Sequence, residues 1–308
     1  MMRIAVTGTS GQLVTAMVER ACSDCIVMPV GRPGLDLGQP KTIAPAIEAV
    51  KPDIVVSAAA YTAVDKAEAD SEMAFAVNER GAGEVAAAAA ALGIPVIHIS
   101  TDYVFDGKKA EPYVETDTTA PQSVYGASKL AGEIAVAAAN PNHAILRTAW
   151  VYSPFGNNFL KTMLRLAADR DEVGVVADQY GNPTSALDLA GAVFAVARNL
   201  LESGRPDLRG IFHATASQNA SWAEFAEAIF AASSRVGGPT AKINRITTAQ
   251  YPTPAPRPIN SRLDSSRLRA VHGHTLSNWH PSTDQIVGRV VLGRKATQLT
   301  HQTVDGGN

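Results

Sequence analysis

The residues that most restrict the fold stand at the start of the chain. Positions 2–11 read Met-Arg-Ile-Ala-Val-Thr-Gly-Thr-Ser-Gly, a short β-prone run that enters the turn Gly8-x-x-Gly11, and a helical pattern over 12–20 follows. Strand, glycine turn and helix in that order let a backbone approach a pyrophosphate. The helix N-terminus then offers N–H donors and a partial positive charge. A glycine motif alone is weak evidence; its place directly after a strand gives it weight. Val14 stands where the usual fingerprint has a third glycine for close helix–strand packing.

The alternation continues along the chain. Strands are expected over 25–31, 52–57, 94–100 and 144–150, with helices over 40–50, over 71–92 and from Tyr125 onward. The run 52–57 is apolar enough for a central parallel strand. Such a series predicts an α/β fold with a Rossmann-like, doubly wound parallel sheet. After Trp150 the pattern changes to a turn-rich loop, a helix to about 169 and a polar turn over 178–184. A helix over 187–201 and a strand over 210–214 return to the sheet. Ser221 with Glu224 three residues on reads as a capping box. Residues 1–153 plus about 185–216 therefore read as a dinucleotide-binding domain. Residues 154–184 plus 217–293 read as a smaller, discontinuous substrate domain, and 294–308 as a frayed polar tail.

Chemistry concentrates at Tyr125-Gly126-Ala127-Ser128-Lys129. Four residues apart on a helix, the phenol and the ammonium share one face. Upstream, the apolar run Ile97-His98-Ile99 ends in Ser100-Thr101, which puts a hydroxyl at the rim of the sheet. A free tyrosine has a pKa of about 10, and lowering it by roughly three units needs about 4 kcal/mol of preferential phenolate stabilisation. A neighbouring ammonium and a hydroxyl donor are groups of the kind that supply it. Tyr and Lys four apart are also common on helices with no such role.

Three further features bear on a nucleotide. The second strand ends in Gly31-Arg32, with no acid to receive an adenosine ribose. An arginine there suits the 2′-phosphate of NADP, and an ordinary surface arginine fits as well. Ala58, Ala59 and Ala60 leave room for a flat ligand at the end of the third strand. Asn78, inside an alanine-rich helix, could hold a water or a backbone carbonyl near the site.

The bulk numbers exclude other classes. The chain has 308 residues, 46% hydrophobic and 18% charged, with a net charge of -2, so no basic stripe points to nucleic acid and no polybasic segment to a membrane surface. No secretory signal and no apolar run long enough to span a bilayer are read, and a cytoplasmic protein is expected. Cys22 and Cys25 lack a second pair and read as small residues near a helix end.

Seven separated motifs now carry a resemblance: Gly-Thr-Ser-Gly-Gln-Leu (8–13), Ala-Ala-Ala-Tyr-Thr-Ala-Val-Asp-Lys-Ala-Glu (58–68), Ser-Thr-Asp-Tyr-Val-Phe-Asp-Gly (100–107), Tyr-Gly-Ala-Ser-Lys-Leu-x-Gly-Glu (125–133), Leu-Arg-Thr-Ala-Trp-Val-Tyr (146–152), Asp-Gln-Tyr-Gly-Asn-Pro-Thr (178–184) and Ala-x-Arg-Pro-x-Asn-Ser-x-Leu-Asp (255–264). Together they resemble the dTDP-4-dehydrorhamnose reductases, extended short-chain dehydrogenases/reductases. The resemblance implies that NADPH or NADH, with a lean to NADPH, reduces the C4 ketone of dTDP-4-dehydro-L-rhamnose to dTDP-L-rhamnose. It implies Tyr125 as proton donor, Lys129 as the group that holds the nicotinamide ribose and lowers the phenol pKa, and Thr101 near the same oxygen. Gly11, Gln12 and Leu13 would face the pyrophosphate, Arg32, Asp36 and Leu37 the adenosine end, and Ala58, Ala59 and Ala60 the cofactor's side. Thr101, Asp102, Tyr103 and Trp150 would meet the dTDP-sugar, with Arg257 on its diphosphate. Val14 and Ser57, where the family commonly has a small residue and Asn, are departures. Some relatives carry magnesium at a dimer contact; the first helix here has no acid before Glu19, so no metal is expected, and a homodimer stays open.

Rivals share the superfamily. A dehydratase would place a second carboxylate after Thr-Asp, where this chain has Tyr103. An epimerase needs the same Tyr and Lys but does not consume reduced cofactor. A non-catalytic nucleotide-binding regulatory subunit is the reading from another class.

Overall fold

The computed structural model describes residues 1–305, with side chains through Gly293. The tail expected over 294–308 lies outside the residues described with their side chains. Strands β1 (Met2–Thr7), β2 (Cys25–Val30), β3 (Ile54–Ser57), β4 (Val96–Thr101) and β5 (His143–Thr148) come first, then β6 (Glu172–Val176), β7 (Gly210–His213) and β8 (Lys242–Ile246). The main sheet has the order β7-β5-β4-β3-β1-β2. All its neighbours are parallel, as expected. The chain moves from β1 outward to β2 and then to the other side at β3. The order therefore reverses between β1 and β3, the place where open α/β sheets leave a crevice at their C-terminal edge. β6 and β8 form a separate parallel pair.

The helices are α1 (Gln12–Glu19), α2 (Ile43–Ala49), α3 (Val64–Ala67), α4 (Ser71–Phe75), α5 (Ala82–Ala91), α6 (Val124–Ala139), α7 (Phe159–Asp169), α8 (Ala186–Glu202), α9 (Trp222–Arg235), α10 (Ser266–His272) and α11 (Trp279–Asp305). Strand alternation sorts the core onto two faces. Ile4, Val6, Ile54, Val56, Ile97 and Leu146 pack with α1, α8 and α9. Ala5, Val55, Val96 and Ile145 pack on the other face with α2, α5 and Val136 of α6. The first cluster runs on without a break to Trp279 and Val291 of α11.

Two expectations are corrected. The helix expected over 71–92 is three pieces, because a π-helical turn at Ala76–Gly81 joins α4 to α5. A wider turn of this kind often marks a functional position, and here it encloses Asn78. The fifth strand does not reach Trp150. Trp150 has φ 49, a left-handed conformation that ends the strand. Its indole stacks on Trp222 at 3.5 Å between centroids. A Cβ at Gly181 would sit 2.4 Å from that indole, so the glycine makes room for it. The capping box of Ser221 and Glu224 is present at the start of α9.

Candidate active site

β1 leads into Gly8, whose φ of +100 is the left-handed conformation that glycine permits. Gly11 is the N-cap of α1 and no side chain caps its first N–H groups, leaving the backbone of Gln12 and Leu13 free to donate. The Gln12 side chain faces another way. Its amide donates to Val151 O, and its Oε1 accepts from Ser153 Oγ at 2.7 Å and from Asn158 at 2.9 Å. It thus fastens the loop after β5 to the glycine turn. Thr7 Oγ1 accepts from the backbone N–H of both Ala58 and Ala59 at 2.9 Å, which fixes the ends of β1 and β3 beside each other.

Arg32 is exposed just past β2. Asp36 accepts from the backbone of Gly38. Leu37 is buried in the core beneath that turn, where a Cβ at Gly81 would lie 2.7 Å from its carbonyl oxygen. Leu37 therefore supports the turn after β2 from below, by packing.

Helix α6 starts at a cap: Ser123 Oγ accepts from Gly126 N–H at 3.1 Å. Tyr125 follows on the first turn. Burial pushes its phenol up to about 12; the Thr101 hydroxyl pulls it back by hydrogen bonding and the Asp102 carboxylate raises it further. This is opposite in direction to the lowered phenol expected from the sequence. The reason is burial, which penalises the phenolate; the Lys129 Nζ donates to Ile99 O at 2.6 Å and lies 3.3 Å from His98 Nε2. Burial lowers the Lys129 ammonium to about 8, against the carboxylate of Glu133, which raises it. Thr101 ends β4 and caps the short turn that follows, accepting from Tyr103 N–H while its hydroxyl donates to Asp102 at 2.9 Å. Asp102 is raised to about 6 by burial. Tyr103 meets Tyr125 edge-on with centroids 5.5 Å apart. Burial raises its phenol, and the charge of Arg257 opposes that rise. Arg257 Nη2 donates to Asp65 at 2.6 Å, and its buried Nη1 has no partner among the described residues.

Asn78 binds in three directions. Its Oδ1 accepts from Tyr61 N–H at 2.8 Å, and its Nδ2 donates to Tyr61 O and to Ser128 Oγ at 2.9 Å. It joins the segment after Ala60 to α6. The sequence had marked Asn78 but not His98, Asp65 or the buried pair of Glu133 with Arg147. A histidine between Ile97 and Ile99 in a central strand was the available signal. Cys22 and Cys25 lie at the opposite, N-terminal edge of the sheet, with sulfurs 3.2 Å apart and the Arg198 guanidinium against Cys22 and Asp24. Among the described residues no helix is long and apolar enough to cross a membrane.

The chain can be set beside known proteins at this point. The family model of the RmlD substrate binding domain matches residues 2–291. The dTDP-4-dehydrorhamnose reductase of Sinorhizobium fredii is 54% identical over 294 residues, covering 96% of this chain and 99% of that one. A solved dTDP-4-dehydrorhamnose reductase from Clostridium acetobutylicum superposes with a TM-score of 0.85 at 39% identity, covering 93% of this chain and 98% of its own. One from Bacillus anthracis, in complex with NADP, gives 0.86 at 33% identity, covering 92% and 98%. Matched along nearly its whole length by the family model and by these relatives, this chain belongs to the dTDP-4-dehydrorhamnose reductase family.

Proposed function

We propose that the chain reduces the C4 ketone of dTDP-4-dehydro-L-rhamnose to dTDP-L-rhamnose and that Tyr125, Thr101 and Lys129 carry the chemistry. One observation supports this above the rest: the Tyr125 phenol faces the Thr101 hydroxyl at the C-terminal end of β4, with Lys129 one helical turn along the same helix. The uncapped first turn of α1, the positive φ of Gly8 and the small residues Ala58, Ala59 and Ala60 fit a nicotinamide dinucleotide, which supplies the hydride when bound. Arg32 favours NADPH. A phenol with a pKa near 12 holds its proton at neutral pH, so Tyr125 is loaded to act as an acid toward the carbonyl oxygen. Thr101 orients that oxygen. Lys129, still largely protonated near neutrality, is the cation one turn away from the phenolate that proton donation leaves behind. Asp102, Tyr103 and Trp150 contact the sugar nucleotide, and the free Nη1 of Arg257 suits its diphosphate.

Residues 1–153 with 185–216 would serve the dinucleotide, and 154–184 with 217–293 the sugar nucleotide. The reaction belongs in the cytoplasm, where nucleotide sugars are made. The test mixes the protein with dTDP-4-dehydro-L-rhamnose and adds NADPH or NADH separately, following loss of reduced-nicotinamide absorbance. Stoichiometric consumption is expected. Tyr125→Phe is expected to lower turnover by at least about 10²-fold with cofactor affinity nearly intact. A near-normal rate in that variant removes Tyr125 as the acid, and turnover without consumption of cofactor points to an epimerase.

A further inference from the structure

β4 turns an unusual set of side chains toward α6. Alternation places His98 and Ser100 on the same face of the strand, and both are buried, His98 at 1% and Ser100 at 3% exposure. Ser100 Oγ donates to Glu133 Oε1 at 2.5 Å, and Glu133 takes two hydrogen bonds from Arg147 of β5 at 2.9 and 2.7 Å. One step toward the sheet centre, His98 Nδ1 lies 3.1 Å from Ser57 Oγ of β3, its partner in register, and His98 Nε2 lies 3.3 Å from Lys129 Nζ. The helix is also pressed against the π turn, which requires glycine at position 132. A Cβ there would lie 2.1 Å from the Asn78 carbonyl and 3.7 Å from His98 Nε2.

The hydrogens can be assigned from this geometry. An ammonium has donors and no acceptor, so His98 Nε2 must accept from Lys129. Nδ1 then carries the ring hydrogen and donates to Ser57 Oγ. The imidazole is neutral, held well below its ordinary pKa by burial, by the Lys129 charge and by His143. We propose that His98, fixed in one tautomer by Ser57, is a positioning residue that together with the Ile99 carbonyl holds the Lys129 ammonium in place beneath the reacting centre. Two acceptors, one backbone and one side chain, define the direction of Nζ where a single carbonyl would leave it free to swing. The remaining titratable groups near Lys129 are Glu133 on its own helix, already committed to Arg147 and Ser100, and the neutral phenol of Tyr125 at the helix start. No other acceptor among the described residues is hydrogen-bonded to Nζ. The inference rests on the assignment of Lys129 to the reaction.

The experiment reads Lys129 directly. The ¹⁵Nζ resonance is titrated in the cofactor-free protein and assigned by its loss in Lys129→Arg. His98→Leu removes the acceptor and is expected to lower the Lys129 pKa by about half a unit or more, because the charged form loses a hydrogen bond while staying buried. His98→Gln, whose side-chain oxygen can reach Lys129, should restore most of it. Ser57→Ala, which frees the tautomer, should shift it in the same direction by less. In turnover, the alkaline limb of kcat should move to lower pH in step with the resonance, with NADPH binding changed less than kcat. If His98→Leu does not fold, Ser57→Ala and His98→Gln decide. An unmoved Lys129 resonance in the folded His98→Leu, or in Ser57→Ala where His98→Leu fails to fold, overturns the proposal. A resonance that moves while the kcat limb stays fixed leaves the His98 contact standing and instead removes Lys129 from the reaction.

Discussion

At the scale of single residues, Asp102 shows how the cleft trades stability for readiness. Burial holds its carboxyl at about 6, where an unfolded aspartate titrates near 3.9. Between those values the folded protein binds more protons than the unfolded one, so stability falls as pH rises through that window. Below about pH 4 both forms are protonated and the penalty is gone; above about pH 6 it is fully present, roughly 3 kcal/mol for two units. Asp102→Asn carries no charge to desolvate. Its stability gain over the parent should therefore be greater at pH 8 than at pH 4 by about 3 kcal/mol in denaturant unfolding, and an equal gain at both pH values would refute the account. The same residue shows what sequence could deliver. Asp102 was readable as a candidate only through the family resemblance of the motif over 100–107, whereas Tyr125 and Lys129 were readable as candidates from helical spacing. The direction of the Tyr125 shift was not, because it depends on how deeply the phenol is buried among distant segments, which no local pattern records.

Among elements, α6 and the π turn behind it form one unit. The turn spends backbone regularity to aim Asn78 at Tyr61 and Ser128 together, and Gly126 and Gly132 let α6 settle onto its neighbours. Added Cβ atoms would lie 2.2 Å from Tyr103 O and 2.1 Å from Asn78 O. Both of these neighbours are backbone atoms, so relief requires the helix to move. Gly132→Ala is expected to cost about 1–3 kcal/mol and to lower kcat by about 10-fold or more through displaced Tyr125 and Lys129. Gly191→Ala in α8, where the added Cβ would meet only His274 at 3.6 Å, should be neutral or slightly stabilising in denaturant unfolding, where Gly132→Ala shows its loss. Helix existence was legible here from alanine-rich periodicity over 71–92. The π turn was not, since the local pattern is continuous and the interruption answers to packing against α6.

Over the whole molecule, the segment after β8 returns to the sheet's edge through Arg257. Its ion pair with Asp65 at 2.6 Å links residues 192 positions apart. Arg257→Ala is expected to raise the KM for the sugar nucleotide about 10- to 100-fold, as the loss of a charge-assisted contact predicts, and to leave the KM for NADPH within about twofold. Arg257→Lys should recover only part, lacking the planar fork. An equal rise in both KM values would mean that the substitution loosens the fold. The parallel sheet was legible because each strand is a short apolar run between helical patterns. The continuous core joining β1 to α11 was not legible, because no local pattern records which distant face a helix covers.

The indole pair described beside β5 has an optical consequence. Trp150 and Trp222 are two of the chain's three tryptophans, and they lie face to face with planes 7° apart. Aromatic transitions at that separation couple, so the near-ultraviolet dichroism of the protein carries a signal belonging to the pair. That signal vanishes when α9 lifts from the end of β5, which gives the molecule an intrinsic gauge of how firmly the far half of the chain is seated on the sheet.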